Sequence, residues 1–150
     1  MTRLKPRMPV PHLGVETLDG DVWRLGDKKP EHFTLVVFYC GFHCPVCKGY
    51  IRDLDGRVND FARRGVEVIA ISGDSGSRAE RSKQQWGLRH VKLGYGLTIP
   101  QVRQWDLYVA KGIDASEPSE FAEPALFLVS RDGTLYGSAV NTMPFARPSF

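Results

Sequence analysis

Two continuous apolar runs, FTLVVFY at 33–39 and VEVIAIS at 66–72, bracket a segment in which apolar side chains return at Cys47, Ile51, Leu54, Val58 and Phe61. Runs rich in β-branched and aromatic residues, with no polar alternation, have the pattern of strands buried on both faces. Recurrence at intervals of four, three, four and three draws one stripe along a helix, predicted from about Pro45 to Arg64, with Arg63 and Arg64 at its carbonyl end and Gly65 as its stop. Strand, helix and strand in that order close most economically as parallel neighbours joined by a right-handed crossover.

The rest of the chain extends this pattern. Ser77, followed three places on by Glu80, predicts a capping box opening a second helix that Gly87 ends. Upstream, VETLDGDVWRL predicts a hairpin turning at Asp19-Gly20, and the first dozen residues, with three prolines, read as an extended arm. Downstream, VKLGY is a short strand, IPQVRQW a short helix with Pro100 in its first turn, and ALFLVSRDGTLYGSAV an antiparallel pair turning at Asp132-Gly133. No repeat or linker divides the 150 residues, which predicts a single domain over 1–150, able to bury roughly 70% of its unfolded surface.

Charge narrows the function classes. A net charge of +3, from 20 basic and 17 acidic residues largely interspersed as in RDLDGR, leaves no basic stripe for nucleic acid. No apolar stretch follows the positively charged N-terminus, and none approaches the ~20 residues of a membrane span, so a cytoplasmic protein without membrane contact is expected. In a reducing cytosol, clustered cysteines point to catalysis or metal binding rather than structural staples.

All three cysteines lie in FYCGFHCPVCKGY, where the first strand gives way to the first helix. Pro45 disfavours helical geometry at the preceding residue and itself suits the first helical position, which sets Cys44 at the helix cap. Unpaired N–H groups and the positive end of the helix dipole favour a thiolate there, and cysteines in C-x-x-C motifs can titrate well below about 8.5. Cys47 lies one helical turn on, within reach of a reversible disulfide with Cys44. Cys40, at the end of a buried strand, reads as a small core residue. His43 could favour the thiolate when protonated; as a surface residue it would have no role, and Lys48 reads as ordinary helix surface. The competing reading is a metal site drawing on Cys40, His43, Cys44 and Cys47, weakened by the absence of a second ligand knuckle, since His12, His32 and His90 are isolated. Gly94-Tyr95-Gly96 and Gly73-Asp74-Ser75-Gly76 are turns rather than nucleotide-binding fingerprints, and no cofactor is expected.

FYCGFHCPVC, the following IRDL segment, GVEVIAIS, EPALFLVSRDG and the closing NTMPFARP together resemble the C-x-x-C-containing, peroxiredoxin-like branch of the alkyl hydroperoxide reductase and thiol-specific antioxidant (AhpC/TSA) family, from about Val10 to Pro148. The resemblance implies an α/β thioredoxin-like fold, with a central mixed sheet flanked by helices and an N-terminal hairpin. It also implies a cis-proline facing the cysteines, at Pro124. The P-x-x-x-T-x-x-C signature of peroxidases, laid on this chain, sets Cys40 for Pro, Cys44 for Thr and Cys47 for the attacking Cys. The arginine that the family uses beside the thiolate is replaced by Glu123-Pro124; Arg52, Arg103 or Arg131 could substitute only if the fold brought one close. In the thioredoxin register Cys44 attacks and Cys47 resolves, with Pro124 shaping the partner's groove and His43 where Trp usually stands.

The expected function is a cysteine-dependent oxidoreductase cycling between a Cys44/Cys47 dithiol and its disulfide, reducing hydroperoxides or protein disulfides with electrons from a separate thiol donor such as a thioredoxin-type protein. The alternatives are a thiol-disulfide oxidoreductase without peroxidase activity and, in another class, a metal-binding or structural module. FARPSF leaves no room for the helix that normally covers one sheet face of this fold, so either further residues beyond it or a partner would cover that face, and a homodimer is expected.

Overall fold

The computed structural model describes residues 4–27, 30–111 and 120–140. The first apolar run is strand β3 (Phe33–Phe38) and the second is β4 (Val66–Ile71), paired in parallel from Phe33 opposite Val66 to Phe38 opposite Ile71. Between them, helix α1 (Pro45–Arg63) makes the crossover. The expected hairpin is β1 (Gly14–Thr17) and β2 (Val22–Arg24), and the late pair is β8 (Ala125–Ser130) and β9 (Leu135–Val140), antiparallel as expected. Helix α2 (Gly76–Trp86) leads to β5 (Lys92–Tyr95), which pairs in parallel with β4, and helix α3 (Ile99–Gln104) follows.

The sheet runs in the order β2-β1-β5-β4-β3-β8-β9, so β3 lies near its middle, parallel to β4 and antiparallel to β8. Alternation along β3 divides the interior in two. Val36 and Phe38 join Val102 and Trp105 from the α3 side, together with Trp23 of the hairpin and Phe127 of β8. Leu35, Val37 and Tyr39 point the other way, onto Cys47, Ile51 and Leu54 of α1 and Trp86 of α2. Val58 and Phe61 complete the helix stripe as partly buried neighbours of this second cluster.

Several local expectations change. The N-cap of α2 is Ser75, whose hydroxyl accepts from the Arg78 N–H at 3.3 Å, two residues earlier than the Ser77/Glu80 box. Ser75 is extended and Gly76 already helical, so Ser77 falls inside the first turn, its hydroxyl 3.1 Å from that of Ser75. Gly87 ends the helix at φ +67, a left-handed conformation that glycine adopts without steric cost. The N-terminal arm is not extended throughout: Met8 donates to the Lys5 carbonyl in a tight turn, and Pro9 bridges to Thr134 beside β9. A two-stranded sheet of β6 (Val109–Lys111) and β7 (Glu120–Ala122) has no counterpart in the sequence reading. The segment from residue 141 onward, which carries both NTMPFARP and the expectation of an uncovered sheet face, lies outside the described residues.

Candidate active site

The site begins where β3 runs out. The Tyr39 N–H still donates to the Ile71 carbonyl at 3.1 Å, after which the chain turns away at Gly41, with φ +137. A side chain at Gly41 could not fit, because its Cβ would stand 2.7 Å from Oδ1 of Asp74. That carboxylate, 2% exposed, fixes the turn: Oδ2 accepts from the Phe42 N–H at 2.9 Å, and Oδ1 lies 3.4 Å from Nε of Arg78. The Arg78 guanidinium also sits over the Phe42 ring, 5.8 Å from its centre, while the Trp86 ring stacks on Phe42 at 6.3 Å. A buried carboxylate is tolerated when hydrogen-bonded and paired, and Asp74 has both kinds of partner.

Past the turn, the Cys44 N–H donates to the Gly41 carbonyl at 3.2 Å and Cys44 becomes the N-cap of α1, extended at φ −98 and ψ 107, with Pro45 opening the helix. This is the geometry expected from the Cys-Pro step. Cys47 faces inward one turn later. The sulfurs of Cys40, Cys44 and Cys47 all lie within 4.8 Å of one another, and none is in a disulfide. Residue exposure grades from 8% at Cys44 through 5% at Cys40 to 0% at Cys47. Cys40 is buried, as a core residue should be, but its sulfur belongs to the cluster. Hydrogen bonding with Cys44, then with Cys47, and then burial push its thiol far above the usual range.

The cluster's surroundings are unusual for a core. Tyr39 is fully buried and its hydroxyl makes no hydrogen bond of acceptable geometry. Burial drives its pKa far up; the nearby Ser72 hydroxyl offsets part of this, while the charges of Asp74 and Cys47 add to it. His43 sets its ring edge-on against Phe121 with centroids 4.5 Å apart, and its Nδ1 is buried without a hydrogen-bond partner. The metal set suggested by the sequence is therefore reduced: among the described residues the close group is the three sulfurs alone, without His43.

Pro124 is buried immediately before β8, and pairing of Ala125 with Phe38 brings it to the sheet end that carries the cysteines. The cis bond expected there is not found: Glu123-Pro124 is trans, the form an X-Pro bond ordinarily favours by about 0.5–1 kcal/mol. The Glu123 N–H donates to the Tyr108 carbonyl at 2.9 Å, and partial burial raises its carboxyl above the usual value. None of the three candidate arginines takes the family's place. Arg131 follows Ser130, which pairs with Phe33 at the opposite end of the sheet, whereas Arg52 and Arg103 are exposed on α1 and α3. The arginine that the fold brings to the turn ahead of the cap is Arg78, through Asp74 and Phe42. Neither it nor Asp74 was a candidate from sequence, because Asp74 in SGDSGS reads as a turn residue and nothing local reveals its burial.

Residues 6–138 match the family model for the AhpC/TSA family. No curated protein matches the sequence. Among solved structures, the fold is similar to that of a peroxiredoxin-like protein from Aquifex aeolicus, with a TM-score of 0.80 and 16% identity, over 100% of this chain and 84% of that one. It is also similar to AhpC of Mycobacterium tuberculosis, at 0.78 and 13% over 98% and 88% of the two chains, and to the reduced 2-Cys peroxiredoxin of Plasmodium vivax, at 0.77 and 19% over 99% and 77%. With a mixed sheet flanked by helices, a sulfur cluster at a helix cap and a family match over most of its length, the chain belongs to the AhpC/TSA family and is a thiol-dependent oxidoreductase.

Proposed function

We propose that this enzyme reduces hydroperoxides by cycling between a Cys44/Cys47 dithiol and a Cys44–Cys47 disulfide, with Cys44 attacking first. The observation that carries this reading is the asymmetry of the pair: Cys44 caps a helix and keeps some exposure, while Cys47 has none. A thiolate at a helix N-terminus is favoured by the dipole, and attack requires access. The Cys44 thiolate displaces alcohol from the peroxide O–O bond, taking one oxygen as a sulfenic acid while a proton completes the alcohol. Cys47 then displaces water from that sulfenic acid, forming the disulfide. A dithiol donor of thioredoxin type returns the two electrons and two protons by thiol–disulfide exchange.

In this reading His43, beside Cys44 and with an unpartnered ring nitrogen, manages the peroxide proton, and Pro124 shapes the groove in front of the sulfurs. A small hydroperoxide suits a cysteine only 8% exposed better than the disulfide of a folded protein does. A second reading keeps the peroxidase register, in which Cys47 attacks; its support is the family match together with the position of Cys47 in the signature. Single-turnover reaction with hydroperoxide separates the two. Cys47→Ser is expected to accumulate a sulfenic acid on Cys44, and Cys44→Ser to lose peroxide reduction by about 10³-fold or more. A Cys44→Ser enzyme that consumes peroxide at the parent rate overturns the assignment in favour of Cys47.

A further inference from the structure

Peroxide reduction needs two sulfurs, yet the fold assembles three. Cys40 comes from the end of β3, Cys44 from the helix cap and Cys47 from the first turn of α1, and their sulfurs lie mutually within 4.8 Å in the interior. Among the described residues no carboxylate or imidazole joins this group. The donor set is thus sulfur only, which excludes hard, oxygen-seeking cations such as magnesium, calcium and manganese.

Coordination number and charge select further. Zinc takes four ligands, and a zinc ion on three thiolates needs a water or another donor in its fourth position, inside a cluster whose members are at most 8% exposed. A monovalent soft ion such as Cu(I) accepts three sulfurs, but three thiolates around a single positive charge leave a net charge of minus two in the core. Uncompensated buried charge is strongly disfavoured. A trivalent thiophilic centre satisfies both conditions, since three thiolates neutralise it and it needs no fourth ligand.

We propose that Cys40, Cys44 and Cys47 of the reduced chain form a three-thiol binding site for trivalent arsenic, supplied as arsenite. Binding is a condensation without electron transfer: arsenous acid exchanges its three hydroxyls for three sulfurs, each hydroxyl leaving as water with one thiol proton. The product is neutral, so it can be buried where the cluster is. Cys40 then has a role that the dithiol cycle does not give it, and the site exists whichever of Cys44 and Cys47 attacks peroxide. Disulfide formation removes two of the three donors, so binding belongs to the reduced protein alone.

The test is titration of the reduced full-length chain with sodium arsenite, followed by native mass spectrometry, thiol counting and arsenic X-ray absorption. The expected product gains one arsenic atom less three hydrogens, loses all three titratable thiols, and shows three sulfur scatterers and no oxygen around arsenic. Cys40→Ser is expected to weaken arsenite binding by about tenfold or more, a penalty of about 1.4 kcal/mol per factor of ten, while peroxide-driven Cys44–Cys47 disulfide formation persists. If Cys40→Ser does not fold, the absorption measurement on the parent still decides. An arsenic–oxygen scatterer, one thiol left free at saturation, equal affinity in Cys40→Ser, or stoichiometric zinc or copper that arsenite does not displace would each overturn the proposal. None of these results bears on peroxide turnover, which is assayed separately.

Discussion

The two sides of the sheet are packed by different rules. On the α3 side, Phe38, Trp105 and Phe127 meet as a closed aromatic triad, with centroids 5.0–5.7 Å apart and two of the three contacts edge-on. On the α1 side, the same strand presents Tyr39 to a core that contains three thiols, a phenol without a hydrogen bond and, at its rim, the paired carboxylate of Asp74. Among the described residues the first side has one polar fault of its own, the unpartnered indole N–H of Trp105. Otherwise it contributes packing, while the second accepts buried groups that oppose stability but carry protons and electrons. Residues on one strand, one position apart, therefore serve different ends.

That contrast can be broken by substitution. Phe38→Ala should cost about 3–5 kcal/mol in urea unfolding, because it opens the aromatic triad. The disulfide-forming rate of whatever remains folded should be close to the parent's, and a rate falling in step with stability would mean that the sides are coupled. Asp74→Asn should cost less, about 1.5–3 kcal/mol, through the weakened bonds to Phe42 and Arg78. Unlike Phe38→Ala, it should also slow alkylation of Cys44, since the turn before the cap loses its anchor. Unchanged alkylation kinetics would reduce Asp74 to a packing residue.

Alkaline pH should act chiefly on the sulfur side. Cys40 and Tyr39 both titrate higher folded than unfolded, so the unfolded chain loses these protons first as pH rises. Their contribution is full below the unfolded values of about 8.5 and about 10, and declines as pH climbs past each in turn. The Tm should therefore fall from about pH 8.5 upward, and Tyr39→Phe should remove the later part of the fall. At neutral pH that substitution is the smallest of the set, within about 1 kcal/mol and in the stabilising direction, because it deletes a hydroxyl that finds no partner. A loss exceeding that would reveal a hydrogen bond that the hydroxyl does make.

Most of the frame could be read from local pattern. The strands read at 33–39 and 66–72, the stripe of α1, the Asp19-Gly20 turn and the Cys-Pro cap are statements about neighbours in sequence; the turn and the cap form as expected, and each strand ends one residue earlier. What escaped depends on distance along the chain. Asp74 acquires its meaning from Phe42, 32 residues earlier, and Cys40 from sulfurs that a turn at Gly41 folds back onto it. The β6–β7 pair escaped because strands of three residues are too short for alternation to register. The cis expectation at Pro124 came from likeness rather than local physics, and the bond is trans.

One residue of α1 remains to be followed to its consequence. Asp55 lies beside the apolar stripe, buried at mid-helix, where its carboxylate collects the N–H groups of Arg89, His90 and Val91 just ahead of β5. The helix that bears the sulfurs is thereby bolted at its waist to the loop that closes the next crossover. Any movement that draws Cys44 and Cys47 together cannot be a sliding of the whole rod. It has to be taken up in the turns between Pro45 and Asp55, so any strain of joining the two sulfurs stays at the cap end of the helix.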